Sequence, residues 1–490
     1  MARLNPDGLP VVVDTVEVVS PGLVGTVEVH RPGSSGGRGP AGATEPFRQA
    51  LADTEMSSQL TVEISDHQDV SAAGGSRAGA DSAQLAVTVP GPGAGFGQVV
   101  LYTAEDGSVS WHFAEGVPPA DLAVRGPARL TYRVPRMVVP TDGESGGRGV
   151  VSVLGKKVLE VLFFRLVEEA AGRTANWFAA RYEQTHRPHR LRTFEPDTYA
   201  EAGRAIGAAD WGRLTSGRAL LFVHGTASSC RSAFGRIPPE LMAELYRRYD
   251  GRVVGFDHPT ISVPPDVNAR SFAEQLPEGV RLDLDVVAHS RGGLVGRVMT
   301  ERAGDVGLRD RVTVGSLVMV ATPNAGTPLV DTENLKYLLD RLTNLVQFVP
   351  DNGVTDVLDI VLSVVKQVAV GILDGLDGLV AMNPRQAFLT EYLNVADAVT
   401  TTAYRAVAAD YNPPSGSALL RIARDGVTDL VFGQTGNDLV VPTAGVYDVP
   451  SAGTFPVGSP VLFTAADGVD HSTYWAQEPF VTAARDWLTA

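Results

Sequence analysis

The chain of 490 residues contains a single cysteine, Cys230. That excludes an intrachain disulfide framework, and nothing else suggests adaptation to an oxidising compartment. Residues 1–10 lack the charged start and long apolar run of a secretory signal, so a cytoplasmic location is expected. Long uncharged apolar runs are missing too. The two most apolar stretches, 150–167 and 354–379, carry Lys156, Lys157, Glu160 and Arg165 in the first and Asp356, Asp359, Lys366, Asp374 and Asp377 in the second. A membrane span needs about 20 largely uncharged residues, so both read as amphipathic helices packed on protein, and no transmembrane segment is expected. Positive charge is in deficit: 41 Lys and Arg against 56 Asp and Glu leave a net charge of −15. That balance opposes nucleic-acid phosphates and anionic headgroups, so nucleic acid is not an expected partner. The sequence has no Cys/His set of zinc spacing, no phosphate loop and no dinucleotide fingerprint; neither cofactor nor metal is expected.

What remains is an ordinary globular composition, 44% hydrophobic and 20% charged. A single core stops growing near roughly 250–300 residues, so the chain should form two or three units. Residues 1–140 hold short, partly alternating runs between Gly/Pro/Ser-rich breaks, which predicts a β-sandwich or small barrel. Residues 141–149 read as a Gly-rich linker. Over 150–182 the spacing of Val158, Leu162 and Leu166, then Trp177 and Phe178, is helical. Residues 186–192 read as a solvated basic connector. The expected units are a β-rich domain over 1–145, a helical connector over 146–200 and an α/β domain over 201–490. In the last, strand-like runs at 219–223, 252–256, 284–288, 314–321, 404–409 and 460–463 alternate with helical spacing, as in a mostly parallel sheet flanked by helices. An insertion at about 330–395 has helical spacing over 335–349, 354–379 and 388–393, and its leucines and valines would look the same buried against the sheet or set over it as a cap.

The chemistry-bearing signals lie in this last unit. The run 284–288 passes directly into Ser290, with Ala288 and Gly292 two positions to either side. A serine on a sharp strand-to-helix turn needs small neighbours there, because the backbone doubles back. Ser290 is the candidate nucleophile, although Ala288 stands where glycine is usual. Upstream, the strand run 219–223 ends in His224-Gly225-Thr226. In acyl transfer the oxyanion is held by the amide after the nucleophile, here Arg291, and by one from the loop after an earlier strand. Thr226 or Ala227 fits the second role. The serine also needs a base and an acid to orient it. Of nine histidines, only His471 lies late in the chain after an apolar run, matching the order serine, acid, histidine. Asp438 is the first candidate acid and Asp410 the runner-up. His258 with Asp257 is read as loop-ordering in preference to metal-binding, and His289 as packing beside the nucleophile.

Together, the strand ending in His224-Gly225, the elbow at 288–293, the segment 321–328, Asn437-Asp438 before Val440-Val441-Pro442, and Asp470-His471 resemble the serine-hydrolase branch of the α/β-hydrolase fold, lipase-like members in particular. The resemblance covers roughly 200–490. It implies a Ser290–His471–Asp438 triad, an oxyanion hole near Thr226 and Arg291, and a serine hydrolase cleaving a carboxylic ester of a small-molecule or lipid-like acyl substrate under an apolar lid. An acyltransferase or thioesterase would use the same triad. The alternative from another class is a binding or scaffold protein with a vestigial site. In that reading the front domain recruits a protein partner.

Overall fold

The computed structural model describes residues 1–32, 45–70, 84–104, 107–115, 128–135, 156–166, 177–201, 203–348, 354–371, 376–397, 400–412, 431–432 and 435–489. The front unit contains β1 (Ala2–Arg3), β2 (Val11–Val13), β3 (Val16–Val19), β4 (Leu23–His30), α1 (Glu45–Asp53), β5 (Ser57–Asp69), β6 (Gln84–Pro90), β7 (Phe96–Thr103), β8 (Val109–His112), β9 (Arg129–Pro135) and β10 (Lys156–Arg165). Among the described residues these strands make two antiparallel sheets, ordered β1-β4-β5-β10-β7-β8 and β2-β3-β6-β9. Val18, Val87, Tyr132, Val100 and Val161 pack between them. That is the sandwich its short alternating runs predict.

The helical reading of 150–182 is corrected in its first part. Residues 156–165 form β10, paired with both β5 and β7 in the middle of the larger sheet. Leu159 and Val161 face the smaller sheet, while Leu162 and Phe164 face the rest of the molecule. A strand covered on both sides carries apolar residues on both faces, so Val158, Leu162 and Leu166 mimicked helical spacing. The β-rich unit therefore extends at least to Arg165, past the expected boundary at 145. The linker expected at 141–149 lies outside the described residues.

The second unit starts earlier than residue 201. It contains α2 (Trp177–His186), β11 (Arg190–Thr193), α3 (Ala208–Leu214), β12 (Ala219–Val223), α4 (Cys230–Phe234), α5 (Pro239–Arg248), β13 (Val253–Asp257), α6 (Pro265–Gln275), β14 (Leu282–His289), α7 (Gly292–Glu301), β15 (Val312–Val320), α8 (Leu335–Phe348), α9 (Val354–Ala369), α10 (Asp377–Val380), β16 (Ala403–Ala409), β17 (Val461–Phe463) and α11 (Glu478–Trp487). Its sheet runs β11-β13-β12-β14-β15-β16-β17. All pairings are parallel except β11 with β13. Residues 186–192, expected as a solvated connector, lead into that antiparallel edge. Arg192 is buried there against Asp257 at 3.4 Å.

β12 is buried along its whole length, as a central parallel strand covered on both faces must be. The insertion packs α9 against α1, α2 and α8. Leu358, Ile360, Val361, Leu362, Val364 and Val365 are all buried, which is why this stretch is so apolar. The stretch 354–379, read as one helix, holds two separate helices, α9 and α10. One continuous apolar core links Phe47, Trp111 and Phe164 of the front unit through Leu358 and Val361 to Leu221 and Val286 of the sheet. Among the described residues no helix is long and apolar enough to cross a membrane.

Candidate active site

β14 delivers Ser290 at its carboxyl end, and α7 begins two residues later. Ser290 has φ of +52°, a left-handed conformation that a non-glycine residue adopts at a cost on the order of 1–3 kcal/mol. The surrounding small residues make the turn sterically feasible. A Cβ on Gly225 would lie 2.5 Å from Ser290 Cβ, and one on Gly292 would lie 2.3 Å from the Val223 carbonyl oxygen. On Gly293 it would meet Thr322 Oγ1 at 2.0 Å. Ala288 is tolerated because it lies buried inside β14, before the turn tightens.

The loops after β16 and β17 bring two further side chains to this point. His471 Nε2 is 3.0 Å from Ser290 Oγ, and His471 Nδ1 is 2.8 Å from Asp438 Oδ2. With Nδ1–H donating to the carboxylate, the neutral ring presents Nε2 as the acceptor for the serine hydroxyl. Asp410 is elsewhere: its amide bonds Phe463 O at the sheet edge, and its carboxyl lies beside Gly436. Asp438 is buried, and both its oxygens are used. Oδ1 accepts the amides of Val440 at 3.0 Å and Val441 at 2.8 Å, and Oδ2 also accepts the hydroxyl of Tyr474 at 2.8 Å. Burial alone would raise this carboxyl, but the charge of His471 and these donors hold it below its ordinary value. Sequence reasoning missed Tyr474. Nothing at its position, three residues past His471, signals that its hydroxyl turns back to the acid.

The loop after β12 supplies the other half of the site. The Ala227 amide donates to Thr260 Oγ1 at 3.0 Å, which removes it from the two amides that sequence left open. Thr226 borders the cavity beside Ser290, and Arg291 follows Ser290 at the start of α7. The Arg291 side chain turns away from the cavity. Its Nε donates to Gly378 O at 2.8 Å and its Nη2 to Val263 O, and burial lowers the guanidinium to about 10.

Around this loop several buried polar groups are paired. Glu183 of α2 accepts from the amides of Thr260 (2.6 Å), Ile261 (2.9 Å) and Ser262 (2.9 Å), and from the Ser262 hydroxyl (2.7 Å). His224 and His258 stack with centroids 4.2 Å apart, and the His258 amide donates to His224 Nε2 at 3.1 Å. Burial lowers His224 to about 4, so both rings stay neutral. Asp257 is engaged by Arg192 and by the Cys230 amide at 2.8 Å. Among the described residues no group of three or more His, Cys, Asp or Glu side chains could hold a metal ion. His289 packs on His471 and Trp475, and its Nε2–H donates to His471 O at 2.9 Å. Burial lowers it to about 3, so it carries no competing charge.

Ser290 and His471 open into a cavity of about 120 Å3. Its lining combines Leu338, Leu342, Leu345 and Val346 of α8, Val357 of α9, and Val440, Val441 and Met382 with the polar Ser228, Ser232 and Arg236.

A serine at the strand-to-helix turn of the central parallel strand, reached by an acid and a histidine from later loops, defines this unit as an α/β-hydrolase fold. Residues 186–489 match the family described as Domain of unknown function (DUF7379), and the chain belongs to that family. No curated protein matches it. Among solved structures it is similar to the Bacillus licheniformis lipase BlEst2 in its mature form, with 18% identity and a TM-score of 0.34, covering 56% of this chain and 92% of that one. It is likewise similar to lipase 1 from Pelosinus fermentans, with 12% identity and a TM-score of 0.36, covering 56% of this chain and 99% of that one. Fold alone does not fix chemistry, which must come from this chain's own side chains.

Proposed function

We propose that the protein hydrolyses carboxylic esters of apolar acyl groups through an acyl-enzyme on Ser290. The observation that carries this reading is the pair of distances at His471, 3.0 Å to Ser290 Oγ and 2.8 Å to Asp438 Oδ2, at the mouth of an apolar cavity. His471 Nε2 takes the hydroxyl proton as Oγ attacks the ester carbonyl. The carbonyl oxygen becomes an oxyanion facing the Thr226 and Arg291 amides, each such donor being worth about 2.7–4 kcal/mol in a comparable site. Collapse breaks the bond to the leaving alcohol, which receives the proton from His471. Water, deprotonated in turn by His471, releases the acid and restores Ser290. Asp438 holds the ring in the required tautomer and stabilises its charged form.

The leucines and valines of α8 and α9 favour an acyl chain over a polar substituent, since burying an unpaired polar group there would cost about 1–3 kcal/mol. The experiment is fluorophosphonate labelling together with a nitrophenyl ester series on the full chain. Wild type should label and turn over, and Ser290→Ala should do neither while melting at the same temperature. Unlabelled, inactive wild-type protein would favour the scaffold alternative.

A further inference from the structure

Helix α8 has two faces with different partners. Leu338, Leu342, Leu345 and Val346 border the Ser290 cavity. Asp340, Thr343 and Asn344 lie roughly opposite at about 100° per residue, and they meet β8, the last strand of the larger front sheet. The Val109 amide donates to Asn344 Oδ1 at 2.9 Å, and Asn344 Nδ2 donates to Val109 O at 2.7 Å. One side-chain amide thus stands in for the peptide group of a neighbouring strand. Two residues along, the Trp111 amide donates to Asp340 Oδ1 at 2.7 Å, and its indole Nε1 donates to Thr343 Oγ1 at 3.0 Å. The match is geometric. Alternate residues of an edge strand point their backbone groups outward about 6.8 Å apart, and four residues of helix rise about 6 Å. Asn344 and Thr343 are fully buried, so water offers no replacement for the bonds they make with Val109 and the Trp111 indole; Asp340 is only partly buried.

Resting on the acyl-hydrolase reading, we propose that this clasp makes the front domain a specificity determinant of the Ser290 site. β8 fixes the position of the apolar wall of α8, and so the length of acyl chain the cavity accepts. Asn344 and Asp340 are its positioning residues. A short acyl group bonded to Ser290 does not depend on the far wall; a long one does.

The test compares butanoyl and dodecanoyl nitrophenyl esters on full-length variants, with fluorophosphonate labelling as the control for Ser290. Asn344→Asp keeps the shape and the acceptor for the Val109 amide but sets an oxygen against the Val109 carbonyl. It should raise KM for the dodecanoyl ester about tenfold, as expected for losing one buried hydrogen bond, and leave kcat for the butanoyl ester unchanged. Asp340→Ala should act in the same direction, and Asp340→Asn, which keeps an acceptor oxygen, should restore wild-type selectivity. If Asn344→Asp does not fold, Asp340→Ala and Trp111→Phe carry the same comparison. An unchanged ratio in labelled protein, or a parallel fall for both esters, overturns the proposal alone. Wild type that neither labels nor turns over any ester overturns the acyl-hydrolase reading and this proposal with it.

Discussion

The loops under Ser290 and the helical wall facing it are held by different forces. Under the serine, Glu183, Thr260, Asp438, Tyr474 and the His224–His258 pair form buried polar bonds, most at 2.6–3.1 Å, within the α/β unit itself. The wall of α8 and α9 is held by leucine and valine packing, with polar anchors that reach mostly into other elements. These run to Val109 and Trp111 of the front sheet, from Tyr182 to Asp359, and from Lys366 to the Thr54 carbonyl. Polar bonds are directional and fail abruptly when a partner is lost, whereas apolar contacts yield by degrees. The Ser290–His471–Asp438 arrangement is thus held within one unit, whereas the α8 wall is anchored to both.

The largest effect that sharpens this contrast is expected from His471→Ala. Turnover should fall on the order of 10^4-fold or more, with fold and wall intact, as seen when a member of such a triad is removed. Steady-state ester hydrolysis and thermal melting read the two sides, and a variant retaining a tenth of the activity would refute the base assignment. Glu183→Ala should break the region under the serine by stranding the Thr260, Ile261 and Ser262 amides. We expect a loss of about 3–5 kcal/mol in denaturant unfolding and a fall in turnover for short and long esters alike. Selective loss of long esters would mean that the two regions are not separate. Tyr474→Phe removes one of four donors to Asp438 and should lower kcat about tenfold at constant KM; wild-type kinetics would show that three donors suffice.

The smallest effect belongs to the wall. Burial raises Asp359 from the ordinary 3.8 to about 6, despite the hydroxyl of Tyr182 at 3.1 Å. The folded state therefore holds this proton more tightly than the unfolded chain. The resulting destabilisation is absent below about pH 4, grows through the window up to about 6, and is complete above it. Asp359→Asn should gain on the order of 1 kcal/mol at pH 7.5, allowing for partial solvent screening, and nothing at pH 3.5. Equal gains at both values would point to a cause other than charge.

Much of the region under the serine was legible because its constraints are local. Ser290 with Gly292, and His224 with Gly225, mark turns whose sterics dictate residue type, and Asp438 and His471 follow strands in a fixed order. Which amide of Thr226 and Ala227 stays open was not legible, since it depends on Thr260, far along the chain. Tyr474 and Glu183 were invisible for the same reason, because their roles come from partners that only the fold supplies. β10 was misread because burial on both faces erased its alternation. The clasp of β8 onto α8 left no trace in spacing, since Asp340 and Asn344 look like the solvent face of any amphipathic helix.

Cys230 has a practical bearing on how motion between the two units can be watched. Its thiol is sealed against Gly255, contacts Phe222 O at 3.5 Å, and is pushed by burial well above the ordinary value. In the native protein it will resist maleimides, so the wild-type chain needs no cysteine removal before a dye is attached. A single thiol placed on exposed Lys336 by Lys336→Cys would then carry the only fluorophore, and its emission would report directly whether α8 shifts when a long ester binds.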